Sequence, residues 1–453
     1  MRRVPRNRPL TTTPIEHKHA AEFDQISRVL DAHPETLLWV EKDIVSPGID
    51  LETGRPGMTA EQTLRALIIK QMNGFSYVEL AFHLADSVTY RRFCRIGAFD
   101  KAPKKSCLNQ NIKQVRAETI EWIHQAVLAE ARADGIETGR KARIDCTVVE
   151  TNIHKPWDSD LLWDSVRVLA RVLGQCKTEF GIVYPDHTRV AKKTSFALRT
   201  AKTAKGKRLY RKLLKTTKNT IGYAMAAAKA LGKLEGLDPL EGLLAEGLRD
   251  QLRHFIPLAK QVVDQTSRRV LDGEKVPAAE KIVSIFEPHT DIIIKSRRET
   301  EFGHKIAVTG GASGIITDCV ILDGNPADST LAVQMVERHI VRFGREPRQV
   351  VFDGGFAAKA NLADIKALDV TDVVFSKRRG MEVSDMARSD WVYKGLVRFR
   401  AGIEAGISFL KRSFGLTRCT WKGLRSFKAY TWASVLTANL LTLARHRMKP
   451  VPT

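Results

Sequence analysis

Apolar positions recur at helical spacing over most of the chain and give way to alternation in two stretches. From Thr59 the period is helical. Leu64, Leu67, Ile68 and Met72 share a face, Thr59 and Gln62 form a capping box ahead of them, and Asn73-Gly74 ends the run. Ser76 and Glu79 form a second capping box before Leu80 and Leu84. A third helix is predicted to open near Ser106 and to carry Leu108, Ile112, Val115, Ile120, Ile123 and Val127. A shorter amphipathic stretch lies near Phe23 to Leu38. Between the second and third helices stand Arg91, Arg92, Arg95, Lys101, Lys104 and Lys105. Short helices with a basic rim suit either a helix-turn-helix module or a plain helical bundle.

At Lys141 the period drops to two. The β-branched segment ARIDCTVVETN predicts a strand with Ile144, Cys146 and Val148 on one face and Asp145 and Thr147 on the other. Residues 160 to 278 return to helix. After residue 280 the segments IVSIFE and DIIIKS are expected as strands, and HKIAVTGGASGIITDCVIL as a hairpin about its glycine-rich turn. An amphipathic helix from Thr330 to Phe343 follows, then a buried strand QVVFDGG, a short helix to Leu368 and a strand DVVFS. A helix from about Ala401 to Phe414 and a long apolar one from about Ala429 to Ala444 complete the chain. With the helical block set aside, the order is strand, hairpin, helix, strand, helix, strand, helix. That order suits an α/β mixed sheet with helices on both faces.

Charge narrows the partners. The 453 residues carry 73 Lys and Arg against 51 Asp and Glu, a net charge of +22. An excess of that size points to a polyanion, with nucleic acid the leading choice because each neutralised phosphate releases counterions. An anionic membrane surface would need an apolar anchor or a basic amphipathic stripe. With 43% apolar and 27% charged residues, the composition is that of a globular chain rather than a disordered one. No run of 18 apolar residues offers a membrane span, and the basic start MRRVPRNRPL is followed by no apolar segment of a secretion signal. The six scattered cysteines have no zinc-site spacing and read as reduced cytosolic thiols. From Arg189 to Leu234 there are 14 Lys or Arg and no Asp or Glu. A stretch that cannot neutralise itself reads as a phosphate-tracking surface, with Lys192, Lys193, Lys207, Arg208, Arg211 and Lys212 as its candidate contacts.

Three acids fall where a charge needs a reason. Asp145 sits in mid-strand, Asp353 ends the apolar run VVFD before two glycines, and Glu404 lies on a helix. On that helix Ile403, Ile407, Leu410 and Phe414 form a core stripe, with Arg400, Glu404, Ser408 and Lys411 beside it. Phosphodiester chemistry needs an activated nucleophile and a stabilised leaving oxyanion. Two Mg²⁺ ions about 3.5–4 Å apart supply both, and carboxylate oxygens hold such ions. The plain alternative for Arg400 and Glu404 is an exposed ion pair.

These motifs carry a resemblance. RIDCTVVETNIH about Asp145, EFGHKIAVTGG at 301–311, VVFDGGFA about Asp353 and RAGIEAGISFLKRSFGL about Glu404 resemble those of DDE transposases of bacterial insertion sequences, closest to the ISNCY and neighbouring groups. The last is similar to a Tyr-Arg-Glu-Lys signature, with Val397 where the tyrosine would stand. The resemblance implies a ribonuclease-H-like mixed-sheet core with an N-terminal all-helical domain and a large helical insertion. The expected boundaries are 1–135 for a helical, DNA-binding domain, 136–160 and 279–449 for the core, and 161–278 for the insertion. In better-known relatives the insertion falls between the second Asp and the Glu, whereas here it follows the first Asp. Asp145, Asp353 and Glu404 would be the catalytic and metal-binding residues, holding Mg²⁺ with Mn²⁺ as a substitute. Arg400, Lys411, Lys377 and Arg378 would steady DNA phosphates. The resemblance further implies double-stranded DNA ends and target as partners, a homodimer in the synaptic complex, and a place in the cytoplasm at the bacterial nucleoid. A non-enzymatic DNA-binding protein and a structure-specific nuclease of the same fold stand as the alternatives.

Among the remaining candidates, His154, Asp158 and Asp160 are expected in a solvated loop, and His304 and Lys305 as sheet-edge contacts to substrate or as ordinary strand residues. Gly310, Gly311 and Gly314 lack the Lys-Ser/Thr of a phosphate-binding loop and read as a turn, so no ATP is implied. Trp157, Trp163, Trp391, Trp421 and Trp432 read mostly as packing residues.

Overall fold

The computed structural model describes residues 16–45, 57–97, 99–294 and 299–449. The basic start at residues 1–10 lies outside them. The stretch near Phe23 forms two helices, α1 (Lys18–Asp31) and α2 (Glu35–Ile44), with Phe23, Ile26, Val29 and Leu30 buried. α3 (Ala60–Asn73) and α4 (Tyr77–Asp86) begin at Thr59 and Ser76, and both capping boxes form in full. Gly74 ends α3 at φ 66°, a conformation a side chain resists. The basic segment contains a short helix, α5 (Val88–Phe93), that periodicity did not reveal. The expected third helix is two, α6 (Lys105–Gln114) and α7 (Ala117–Ala133). Val115 and Arg116 are extended between them, and the Arg116 N–H donates to Asp43 Oδ2 at 2.8 Å. Val115 is buried despite the break, so the apolar pattern runs through it unmarked. β1 (Lys141–Glu150) follows as expected.

The chain divides into two compact units, Met1–Glu150 with Lys305–Thr453, and Thr151–His304. In the second unit α8 (Asp158–Phe180), α9 (Thr188–Leu198), α10 (Thr203–Leu231) and α11 (Pro239–Thr266) enclose a core of their own, with Leu162, Leu169, Leu213, Ala224, Leu252 and Val262 inside. IVSIFE, expected as a strand, is not one. The Gln265 side chain takes both backbone groups of Ile282, donating to its carbonyl and accepting from its N–H at 3.0 Å, so this buried run is held without a ladder. β2 (Asp291–Ile294) pairs antiparallel with the opening residues of β3 (Thr300–Gly310).

In the first unit, the later residues of β3 pair antiparallel with β4 (Ile316–Ile321), and the hairpin turns at Gly314 with φ 88°. Next come α12 (Ala332–Phe343), β5 (Gln349–Phe352), α13 (Lys359–Ala367), β6 (Asp372–Phe375), α14 (Val383–Met386), α15 (Asp390–Ser413) and α16 (Leu424–Arg447). The strand order here is β3-β1-β5-β6 with β4 on β3, and β1, β5 and β6 are parallel. A mixed sheet beside an amino-terminal helical region is consistent with a ribonuclease-H-like core. α16 is buried on nearly every side, which accounts for its apolar composition. α15 starts well before Ala401, at a Ser389 cap. In its first turns only Val392 and Tyr393 pack on the core, half-buried, so the fully buried stripe that betrays the helix begins at Leu396.

Candidate active site

Parallel pairing sets the first two acids side by side. β1 and β5 run in register from Lys141↔Gln349 to Ile144↔Phe352, and Asp145 and Asp353 are the next residue on each chain. Asp145 Oδ1 accepts the Cys146 N–H at 2.7 Å. Asp353 precedes the tight turn Gly354–Phe356, and Ser376, just past β6, donates its hydroxyl to Asp353 Oδ1 at 3.0 Å. Gly354 permits this turn, since a Cβ there would stand 2.6 Å from Lys377 Cγ.

α15 supplies the third acid. Its seat depends on Arg143, two residues before Asp145 and so on the same face of β1. The Arg143 guanidinium donates to the Phe399 carbonyl at 3.2 Å and lies 4.7 Å from the Phe399 ring centre. It also fills the space at Gly402, where any Cβ would overlap Arg143 Nη1. Buried Ile403 and Leu410 anchor the same helix, which leaves Arg400 and Glu404, one turn apart, over the two aspartates.

Arg400 gathers all three carboxylates. Its Nη1 lies 3.8 Å from Asp145 Oδ2 and 3.4 Å from Asp353 Oδ1, and its Nη2 lies 2.9 Å from Glu404 Oε1. Sharing one nitrogen places the two aspartates within about 7 Å of each other. Burial pushes the Asp145 carboxyl up to about 6, with nearby Asp353 adding to the rise. Burial also acts on Asp353, but the Gly354 N–H, the Ser376 hydroxyl and Arg400 outweigh it and hold its carboxyl below the ordinary value. Asp145 and Arg400 are largely shielded, with 19% and 18% of their side chains exposed, whereas Glu404 is 58% exposed. An open groove of about 450 Å³ runs from Asp145, Cys146 and Thr147 past Glu404 to Ser408 and Lys411.

Among the described residues no group of three or more His, Cys, Asp or Glu side chains is set as a metal cage. The acids here surround a guanidinium instead. The donor set nonetheless suits a hard divalent cation, being carboxylate oxygens that already converge on a positive charge.

Other candidates fall in several places. Lys411 lines the groove, Lys377 packs on Gly354, and Arg378 lies over the Tyr393 ring at 5.4 Å. Lys192, Lys193, Lys207, Arg208, Arg211 and Lys212 are exposed on α9 and α10 of the second unit. His304 and Lys305 are not substrate contacts at a free edge. Both are buried, His304 bonded to Asp291 and His289 at 2.8 Å, and Lys305 to the Pro326 carbonyl and Asp328 at 2.6 Å. Nor are Asp158 and Asp160 in a solvated loop. They open α8, Asp158 paired with Arg269 and Asp160 with Ser195 and Arg199, while His154 pairs with Asp164. Trp421 and Trp432 are buried, but Trp157 and Trp391 are exposed. Arg143, Gly402 and Ser376 escaped the sequence reading. A glycine inside a helix was the one available sign, because it weakens the helix unless something needs its space.

Two family models match the chain. Residues 263–440 match a Transposase DDE domain, and residues 15–114 match a Transposase domain (DUF772). No curated protein and no solved structure matches it. The DDE match includes Asp353, Arg400 and Glu404 and stops short of Asp145, which the β1–β5 register joins to them. The two matches support a DDE transposase, an enzyme that cleaves and transfers DNA.

Proposed function

We propose that the chain binds the ends of an insertion-sequence element, hydrolyses DNA phosphodiesters there and transfers the freed 3′-hydroxyl strands to target DNA. The convergence of Asp145, Asp353 and Glu404 on a single guanidinium carries the reading. In it the three carboxylates hold two Mg²⁺ ions, for which Mn²⁺ substitutes. Ions held there would supply activation of the attacking oxygen, water for cleavage and the 3′-hydroxyl for transfer, and charge stabilisation of the leaving one.

The chain's own residues do the rest. Asp145, on the central strand and largely shielded from water, presents a carboxylate held by the sheet beside that of Asp353. Lys411 along the groove and Lys377 and Arg378 beyond β6 steady phosphates, and the acid-free basic run of α9 and α10 tracks the DNA backbone. The amino-terminal helices serve as a DNA-binding region, and two copies act together on paired ends. The place of action is the cytoplasm, at the nucleoid.

The test is transfer of a pre-cleaved duplex, carrying the sequence that flanks the gene, into supercoiled plasmid with Mg²⁺. Wild type joins the two; Asp145→Asn, Asp353→Asn and Glu404→Gln bind the duplex without joining it. Joining retained by these variants sinks the reading. Cutting without joining points to a nuclease, and binding indifferent to Mg²⁺ and to the three acids points to a DNA-binding protein.

A further inference from the structure

We infer that Arg400 is a built-in counter-ion for the three acids, one that a divalent cation must displace, and that DNA phosphate is what draws it away. The inference rests on the metal-dependent reading above and adds a coupling to it: the site takes up its cations when DNA is seated and resists them otherwise.

The first support is the manner in which Arg400 is held. A guanidinium is shaped for a two-pronged grip on a carboxylate, with N–O distances of about 2.7–2.9 Å. Arg400 makes no such grip on either aspartate. Its Nη1 stands 3.8 Å from Asp145 and 3.4 Å from Asp353, and only Glu404, at 2.9 Å, is within a charge-assisted bond. Asp145 Oδ1 is spent on the Cys146 N–H and Asp353 Oδ1 on the Ser376 hydroxyl. Arg400 therefore neutralises the cluster without locking into it.

The second support is the Nε of Arg400, which is buried with no hydrogen-bond partner among the described residues. A buried donor left unmade favours any move that satisfies it. The third is the way out. The partner it grips best, Glu404, is the most exposed of the three acids, and the groove beside it is open as far as Lys411 on the same helix. A rotation of the side chain past Glu404 would turn the guanidinium toward the near end of that groove, where a DNA phosphate would meet it. Like charges explain the other half: without a cation among them, three carboxylates on one helix face and two strand ends repel one another. Arg400 meets that need in the free protein. Since phosphate and metal both favour the state with Arg400 withdrawn, each must strengthen the binding of the other by the same factor.

The experiment is Mn²⁺ binding to the full chain, followed by the paramagnetic signal of free Mn²⁺, with and without a short DNA duplex. Without DNA, Arg400→Gln should bind Mn²⁺ about tenfold more tightly than wild type. Adding duplex should tighten wild type and leave R400Q nearly unchanged. Arg400→Lys keeps the charge but cannot span all three acids, so its affinity should fall between the two; it also serves if R400Q does not fold. Thermal melting gives a separate readout. In chelator R400Q should melt below wild type, Asp145→Asn should restore it, and Mn²⁺ should raise the R400Q melting point more than that of wild type. Equal Mn²⁺ affinity in wild type and R400Q, with Asp353→Asn binding none, overturns this inference and leaves the metal-dependent reading standing. Binding by none of them, duplex present, overturns both.

Discussion

Asp145 and Asp353 stand one step beyond Ile144 and Phe352, the last residues paired between the parallel strands β1 and β5. Neighbouring strands lie about 4.8 Å apart, so the spacing of these two carboxylates is fixed by the sheet rather than by flexible side chains. Replacing either by Asn keeps the shape and removes the charge. Strand cleavage should fall by about a thousandfold or more, as expected when several kcal/mol of transition-state stabilisation are lost, while duplex affinity stays within about threefold. A cleavage assay alongside an equilibrium binding titration checks both halves.

Gly402 offers a prediction of unusual sign. Glycine to alanine inside a helix ordinarily stabilises by about 0.5–1 kcal/mol. Here the added methyl overlaps the Arg143 guanidinium, which must leave the Phe399 carbonyl and ring to make room, so Gly402→Ala should forgo that gain and destabilise by up to about 1 kcal/mol. Arg143→Ala should recover part of that loss in the double variant. Urea unfolding of the three proteins decides it.

The basic run on α10 should act through charge alone. Lys207, Arg208, Arg211 and Lys212 are exposed, and replacing all four by Ala should weaken DNA binding alike for unrelated sequences. The slope of log affinity against log salt should shrink by about 0.9 for each phosphate that is no longer neutralised. An unchanged slope would remove this surface from the interface.

His124 should make the fold sensitive to acid. It is fully buried, bonded to the Ile316 carbonyl at 2.8 Å, and burial with Arg342 nearby holds its pKa at about 4 against an ordinary 6.5. The unfolded chain takes up a proton near 6.5 and the folded one resists until about 4, so stability falls as pH drops through that window. His124→Gln should flatten the pH dependence of the melting point between these values while lowering stability near neutrality.

Much of the fold was legible because it is written locally. The capping boxes at Thr59 and Ser76, the alternation of β1, the hairpin turn and the stripe of α15 each lie within a few residues. The failures share a different cause. IVSIFE looks like a strand, yet Gln265 takes the backbone groups of Ile282, and the Ser284 hydroxyl accepts from the Phe286 and Glu287 N–H groups. The break between α6 and α7 leaves Val115 buried and the apolar pattern intact. His304 and Lys305 read as edge residues, but partners distant in sequence consume their polar atoms.

The sequence alone determined which residues had no local reason to be charged: Asp145 within a strand, Asp353 at the end of an apolar run and Glu404 beside a core stripe. It also determined the basic surplus that points to DNA. Only the tertiary structure decided that these acids share one place, because that depends on the parallel register of β1 with β5 and on Arg143 seating α15 at Gly402. It decided as well that Arg400 stands among the acids rather than beside Glu404 alone. Spacing along one helix fixes an i, i+4 pair, but how far that pair lies from two strand ends is set by packing, which no local pattern encodes.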